Sequence, residues 1–467
     1  MQPNRAGRLR VEGKNHGKQI QIPGQAEIAA HLSGMIPFET IAYRDQSKTK
    51  GEPFFALHAY LEKTYPLVHE NMEKQVIGDY SLLFCWKGRN REKRPILLMA
   101  HQDVVPVPSE TLDQWKYPPF EGVLAEGKVW GRGSLDCKNM LCCELEAAEA
   151  LLKQGYVPER DIYFAFGHDE ESGGFNGMTA VAAYLKEKGV FLEFVLDEGS
   201  GYVEGEKRHC PGHTVAEIGI FEKGYADLKL TVQSPGGHAS RPGPSTALGI
   251  LAKAINALEE NQFPLSVPDP VKWHYQALIP YLEAGEEKNQ VEQMEENPAA
   301  FARYLSQTPK GNAMVRTTTA PTMANASIRP NVLPTQAQAV VNFRLNPDTS
   351  CKALLAHCQK AIGNPKVSLT LLRGEEPSKI TSVEGKAYKA LCNVIQQVHP
   401  GCITAPVPVL GATDSRKFEG ICDDIFRFTP LDNQGLGYTV HGVNEAMPIE
   451  SLEEGVRFFV AMIQQMC

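Results

Sequence analysis

Apolar positions change their period along this chain. Up to about residue 214, short apolar runs of strand length alternate with longer segments of helical period. Residues 26–75 carry Ala29, Ile36, Phe55, Leu57, Tyr60 and Leu61 at helical spacing, with Gly and Pro between them. The spacing predicts strands at 81–86, 96–100, 161–166 and 191–196, and helices at 139–154 and 179–188. A further short strand over 129–130 leads into Gly131-Arg-Gly-Ser-Leu-Asp136. Strands alternating with helices in this way read as an α/β fold with a doubly wound, mostly parallel sheet. In such sheets the functional groups collect at the carboxyl ends of the strands.

Near residue 215 the pattern turns to half-exposed alternation. Strand-like runs at 226–233, 317–326, 337–345 and 367–372 are interspersed with amphipathic helices at 246–260 and 351–362. This predicts a small antiparallel sheet with helices, an α+β lid over 215–376. The α/β pattern resumes near Pro377. The expected architecture is a catalytic domain in two parts, 1–214 and 377–467, interrupted by the lid.

Composition narrows the function classes. With 467 residues the chain exceeds one ordinary core, which agrees with two domains. A formal net charge of -8 and the lack of a long basic tract argue against nucleic acid as a partner. No stretch approaches a membrane span. Arg5, Arg8, Arg10, Lys14 and Lys18 make the N-terminus basic, but no apolar region follows as in a secretion signal. Eleven cysteines, an odd number with Cys142 and Cys143 adjacent, do not suggest a disulfide framework. The expected compartment is therefore the cytoplasm.

Candidate chemistry sits where the strands end. The 96–100 run delivers His101 and, two residues on, Asp103, which alternation places on the same side. An acid there can reach the back of the imidazole, as a metal-bound histidine requires. A lone H-x-D is equally a core histidine capped by an acid. However, Asp136, the Glu170-Glu171 pair, Asp197 and His441 fall at other strand ends or near the C-terminus. Two imidazoles with several carboxylates and no thiolate suit a catalytic rather than a structural zinc site. In extended chain the side chains of Glu170 and Glu171 diverge, so one can bind metal while the other faces a substrate water. Gly131-x-Gly133 lacks the third glycine of a dinucleotide fingerprint. No G-x-S-x-G elbow precedes a helix.

The blocks His101-Gln-Asp-Val-Val-Pro, Gly131-Arg-Gly-Ser-Leu-Asp-Cys-Lys-Asn, His168-Asp-Glu-Glu-Ser, Val195-Leu-Asp-Glu-Gly and His441-Gly-Val-Asn-Glu resemble the aminoacylase/carboxypeptidase family of dinuclear-zinc hydrolases. Arg316-Thr-Thr-Thr-Ala, Asn331-Val-Leu-Pro, Val341-Asn-Phe-Arg, Thr404-Ala-Pro-Val and Thr413-Asp-Ser-Arg are similar to the branch of N-fatty-acyl-amino-acid synthases/hydrolases and Gly-X carboxypeptidases. The resemblance implies two zinc ions bridged by Asp136. His101 and Asp197 would complete one shell, and Glu171 and His441 the other. It further implies that Asp103 orients His101 and that Glu170 is the general base. His238 would stabilise the oxyanion, often across a homodimer interface, with Thr413 adding a contact. Asn331 and Arg344 would hold the substrate carboxylate. Cys137 departs from the second aspartate common in this branch, where the peptide bond is often cis.

The implied activity is hydrolysis, or reversible formation, of the amide bond of N-acyl amino acids, with fatty-acyl chains expected. The alternative is a dipeptidase or carboxypeptidase on short peptides; a non-catalytic binding protein on the same fold is the alternative of another class. The segment 263–307 contains Trp273, Tyr275, Leu278, Ile279, Tyr281, Leu282, Phe301, Tyr304 and Leu305. These suit either lid core packing or a pocket for a long acyl chain.

Overall fold

The apolar run Ile96–His101 is buried on both faces, as a central strand covered by helices requires. Its period-two alternation divides it between two cores. Ile96, Leu98 and Ala100 pack with the helices Gln25–Met35, Lys138–Lys153 and Ile449–Met466. Leu97 and Met99 pack with Met178–Glu187 on the opposite face. The computed structural model describes residues 20–432 and 439–467, so the basic residues Arg5, Arg8, Arg10, Lys14 and Lys18 lie outside the described residues.

Across the large sheet the strands run Glu73–Ile77, Ser81–Trp86, Ile162–Gly167, Ile96–His101, Val195–Asp197, Ile425–Arg427, Thr214–Glu222 and Ile403–Val409, with Gly201–Glu204 paired to Thr214–Glu222. Ile96–His101 is parallel to both its neighbours, and Val195–Asp197 is parallel to Ile425–Arg427. Register sets His101 beside Gly167, and Asp197 beside Arg427. One edge of the sheet therefore gathers the predicted strand ends. The fold is α/β, with parallel strands at the centre of the sheet and antiparallel ones toward the flanks.

Two expectations about organisation are corrected. The lid does not begin at 215, because Thr214–Glu222 is a strand of the large sheet, parallel to Ile403–Val409. The lid sheet is Thr318–Asn325, Gln336–Leu345, Gly224–Gln233 and Val367–Glu375 in that order, all antiparallel. The helices Ala247–Glu260 and Cys351–Ile362 supply Leu251, Leu258, Leu354 and Cys358 to its core. The intervening helices, from Asp269–Leu278 to Pro309–Val315, are not part of that core. Their Val271, Tyr275, Leu278, Phe301 and Leu305 pack instead with Val215, Ile403 and Ala405 at the edge of the large sheet. Free alternation read from sequence cannot choose between two sheets that both need cover.

Nor does the strand before Asp136 join the large sheet. Lys128–Trp130 pairs with Val123–Ala125 and, on its other side, with Ala446–Pro448. This three-stranded ribbon brings the chain after His441 against the turn before Asp136. No helix among the described residues is long and apolar enough to cross a membrane. None of the eleven cysteines forms a disulfide.

Candidate metal centre

The cluster begins at His101, which is buried at the end of its strand. Its Nδ1–H donates to the backbone carbonyl of Asp103 at 2.9 Å, so Nε2 is turned outward. Nε2 lies 2.9 Å from Asp136 Oδ1 and 3.4 Å from Glu198 Oε1. The other carboxylate oxygen of Asp136 lies 3.0 Å from His441 Nε2, which is also 3.1 Å from Glu171 Oε1. Asp136 thus stands between two imidazoles, one oxygen to each. Burial opposes its charge, but the hydrogen bonds from His101 and His441 hold its carboxyl well below the ordinary carboxylate range. Those same carboxylates push His441 up to about 10.

Asp103 is placed where alternation predicts but serves differently. Its carbonyl orients His101, and its carboxylate oxygen is 3.5 Å from that ring. The carboxylate accepts the backbone N–H groups of Glu170 and Glu171 at 3.2 and 3.1 Å. Asp103 therefore fixes both the ring and the turn that carries the glutamate pair. That turn, Glu170–Ser172, is a single 3₁₀ turn rather than extended chain. It is held from below by Asp169, whose carboxylate accepts the N–H groups of Asn176 and Gly177. His168 is buried and bonds Ser81 Oγ through Nδ1. Glu171 reaches His441; burial and then the Glu198 carboxylate push Glu170 well above its ordinary range.

Asp197 is the clearest correction. Its two oxygens accept the backbone N–H groups of Glu198 and Ser415, each at 2.9 Å. That leaves Glu198, the next residue, as the acid that meets His101, and burial pushes it up to about 7. The four-residue block Leu-Asp-Glu-Gly offers two acids, and only the end of the strand decides which one faces the cluster. Cys137 joins His101 and Glu198 within ligand reach of one another, across a cis Asp136–Cys137 peptide bond. Burial pushes the Cys137 thiol well up, which keeps it protonated and a poorer ligand than its neighbours.

A buried pair that the sequence reading left unassigned joins the two halves of the cluster. Arg132 Nη1 donates to Glu445 Oε2 at 2.5 Å, and its Nη2 donates to the carbonyls of His441 and Gly442 at 3.2 and 3.0 Å. Glu445 Oε1 accepts the N–H groups of Leu135 and Asp136 at 2.8 and 3.3 Å. His441 has φ +62°, a left-handed conformation costly for a residue with a Cβ. The Arg132 bonds to its carbonyl and the next oppose that cost, together with the contacts of its ring to Asp136 and Glu171. Both Arg132 and Glu445 stand inside the quoted blocks, and the glycines on either side of Arg132 are a signal that could have singled it out; Glu445 carries no such mark. Gly131 also has positive φ, and a Cβ on it would meet Ile36 Cγ2 at 2.5 Å, so the Gly-Arg-Gly turn is a packing requirement.

Other predicted residues stand apart. The Thr413 hydroxyl donates to the buried carboxylate of Glu222 at 2.7 Å and caps the following turn, so it is not turned to the cluster. Glu222 also accepts from Arg427 Nε at 3.1 Å, and Arg427 donates to Ser415 Oγ at 3.0 Å. Thr413 thus belongs to a buried network running from the start of the lid to Asp197. His238 is exposed in the lid and its ring bonds Ser240 Oγ. Asn331 is exposed on the neighbouring lid segment, where its carbonyl accepts from Ala239 N–H. Arg344 lies over the Tyr225 ring at 4.7 Å. Among the described residues, no hydrogen bond or ion pair joins His238, Asn331 or Arg344 to the cluster.

The donor set suits divalent cations: His101, Asp136 and Glu171 form one group within ligand reach. His101 and Glu198 belong to a second group with Cys137. Burial first and neighbouring carboxylates second push Glu170 and Glu198 upward, and a cation among them would relieve both costs.

Comparison with known proteins agrees with this chemistry. The chain is 36% identical to probable carboxypeptidase S-like 2 of Dictyostelium discoideum, over 98% of this chain and 88% of that one. It is 34% identical to human N-fatty-acyl-amino acid synthase/hydrolase PM20D1, over 96% and 91%. Its fold matches the crystal structure of an M20 family metallo-carboxypeptidase from Sulfolobus solfataricus, with a TM-score of 0.70 at 19% identity over 94% and 99% of the two chains. Residues 97–465 match the model of peptidase family M20/M25/M40, and the chain is a member of that family of metallo-hydrolases.

Proposed function

We propose that this enzyme hydrolyses the amide bond of N-acyl amino acids with long acyl chains, and that the same site can form that bond when product is drawn off. The observation that carries the reading is the placement of Asp136, with one oxygen on each of two imidazoles from opposite ends of the chain. The relatives named N-fatty-acyl-amino acid synthase/hydrolase support the acyl substrate, and carboxypeptidase S-like relatives support short peptides as the alternative.

His101, Asp136, Glu171, Glu198 and His441 would hold a pair of zinc ions, and Asp136 stands between the two imidazoles. When bound, such a pair lowers the pKa of a shared water to about 7 and polarises the acyl carbonyl. Glu170 stands beside this group with a carboxyl that burial and its neighbours keep ready to hold a proton. It takes the proton of the attacking water and passes it to the departing amine nitrogen. Asp103 keeps Glu170 in place through the backbone of the turn and keeps His101 in one orientation. Arg344 and Asn331 are proposed to grip the free carboxylate, and His238 the developing oxyanion. Since these three stand away from the cluster, movement of the lid or a second copy of the chain must deliver them.

The test is release of free amino acid, with zinc present, from N-oleoyl amino acids and matched dipeptides. Faster release from the oleoyl substrates is expected. Dipeptide cleavage without oleoyl cleavage would move the assignment to the peptidase alternative.

A further inference from the structure

The helices inserted over 269–315 do more than cover the edge of the large sheet. Between them, Glu217 in the strand Thr214–Glu222 and the end of the strand Ile403–Val409 lies a cavity of ≈ 590 Å³. This is within the range of about 300–1,000 Å³ typical of small-molecule sites. Its apolar wall includes Leu278, Leu305, Met314, Val407, Val409 and Leu410. A smaller cavity, ≈ 170 Å³, is lined by Asp136 and Glu198 of the metal centre. Ser200, two residues beyond Glu198, lines both.

The charges around the larger cavity are mostly neutralised within the protein. Arg208 donates to both oxygens of Glu217, at 2.5 and 3.0 Å. His209 pairs with Glu287 at 3.0 Å, and Lys207 with Glu204 at 3.0 Å. His274 donates from Nδ1 to the Pro406 carbonyl, and Lys310 is exposed at the wall. With Lys310 as the exception, the charges of the wall already have partners and offer little to a charged ligand. More of the cavity surface is apolar than polar, and removing that apolar area from water would favour binding there.

We infer that this cavity receives the acyl chain of the substrate, which runs from the metal centre past Ser200 and lies along Leu410 under the inserted helices. The inference rests on the proposed N-acyl amino acid hydrolase reading and adds where the chain is measured. Leu278, Tyr275, Tyr304 and Leu305 then have two roles, packing the insert from one side and facing the acyl chain from the other.

The experiment measures kcat/KM for N-acetyl, N-octanoyl and N-oleoyl forms of one amino acid, with Leu410→Trp and Leu410→Ala beside the wild type. Filling the cavity should lower the oleoyl-to-acetyl ratio about tenfold for every two methylenes shut out. Leu410→Ala, which only enlarges the cavity, should keep the ratio at or above that of the wild type. If the wild type favours oleoyl substrates and Leu410→Trp leaves the ratio unchanged, the cavity assignment is overturned and the hydrolase reading stands. If the wild type cleaves dipeptides and no acyl substrate of any length, the hydrolase reading itself fails, and the cavity assignment with it. Should the Trp variant fold poorly, a drop in the ratio for Leu410→Ala overturns the assignment independently.

Discussion

The link between Arg132 and Glu445 makes a demanding prediction, because it ties His441, proposed above as a metal ligand, to a buried pair outside the cluster. Arg132→Met removes a guanidinium that is 2% exposed and leaves a fully buried Glu445 facing it. The carbonyls of His441 and Gly442 lose their donors at the same time. Breaking one side of a buried pair costs about 3–5 kcal/mol. Burial already pushes Glu445 up to about 7 with Arg132 present, so the variant can relieve part of that cost by protonating Glu445. A destabilisation near the lower figure, about 3 kcal/mol, is expected from thermal or urea unfolding. The second expectation concerns His441, whose left-handed backbone loses the Arg132 bonds. Loss of a group that orients a ligand weakens metal binding about 10–100-fold. Competition with a chromophoric chelator measures that directly. The double variant Arg132→Met/Glu445→Leu separates the two effects: apolar replacement of a whole buried pair is about neutral for stability, while metal affinity should stay low. An Arg132→Met protein that unfolds like the wild type and yields its metal no faster would refute the reasoning.

Three further outcomes follow from the geometry. Glu170→Gln should lower kcat by about 10²–10⁴-fold with metal content unchanged, checked by steady-state kinetics beside elemental analysis; activity near wild type would remove Glu170 as the base. Glu198→Gln should weaken zinc retention, whereas Asp197→Asn should cost about 1–3 kcal/mol of stability by presenting an amide to two N–H donors; the reverse pattern would restore Asp197 as the ligand. His274, held at about 4 by burial against an ordinary 6.5, is neutral in the folded chain over a range where the unfolded chain is protonated. Its contribution is complete above pH 6.5 and is lost as pH falls toward 4, about 3 kcal/mol over the interval. Equilibrium unfolding of His274→Gln should show a correspondingly flatter dependence there, and an identical slope would contradict it.

The cluster was legible in part: His101 ends its strand as alternation predicts, and the quoted blocks, rather than periodicity, point to Asp136, Glu171 and His441, which the fold brings beside it. What sequence could not resolve depends on pairing between distant segments. Whether Asp197 or Glu198 turns inward depends on where a three-residue strand ends and on Ser415, which occupies the Asp197 carboxylate from far along the chain. Thr413 looked free until the buried Glu222 and Arg427 drew it away. The lid boundary moved for the same reason. Thr214–Glu222 alternates less than the strand after it, being buried nearly throughout, and its place in the large sheet is set by pairing with Ile403–Val409. The helices over 269–315 carry apolar faces that would fit either sheet.

The ribbon that pairs Lys128–Trp130 with Ala446–Pro448 also bears on how the enzyme is made. As the chain leaves the ribosome, His101, Asp136, Glu171 and Glu198 emerge long before His441. Until then the growing polypeptide carries one imidazole of the cluster with three carboxylates beside it. Only when the last strand closes on Lys128–Trp130 does the second imidazole arrive and Arg132 find the His441 carbonyl. A site assembled in this way is complete only once residues 441–448 have been made and have paired with Lys128–Trp130.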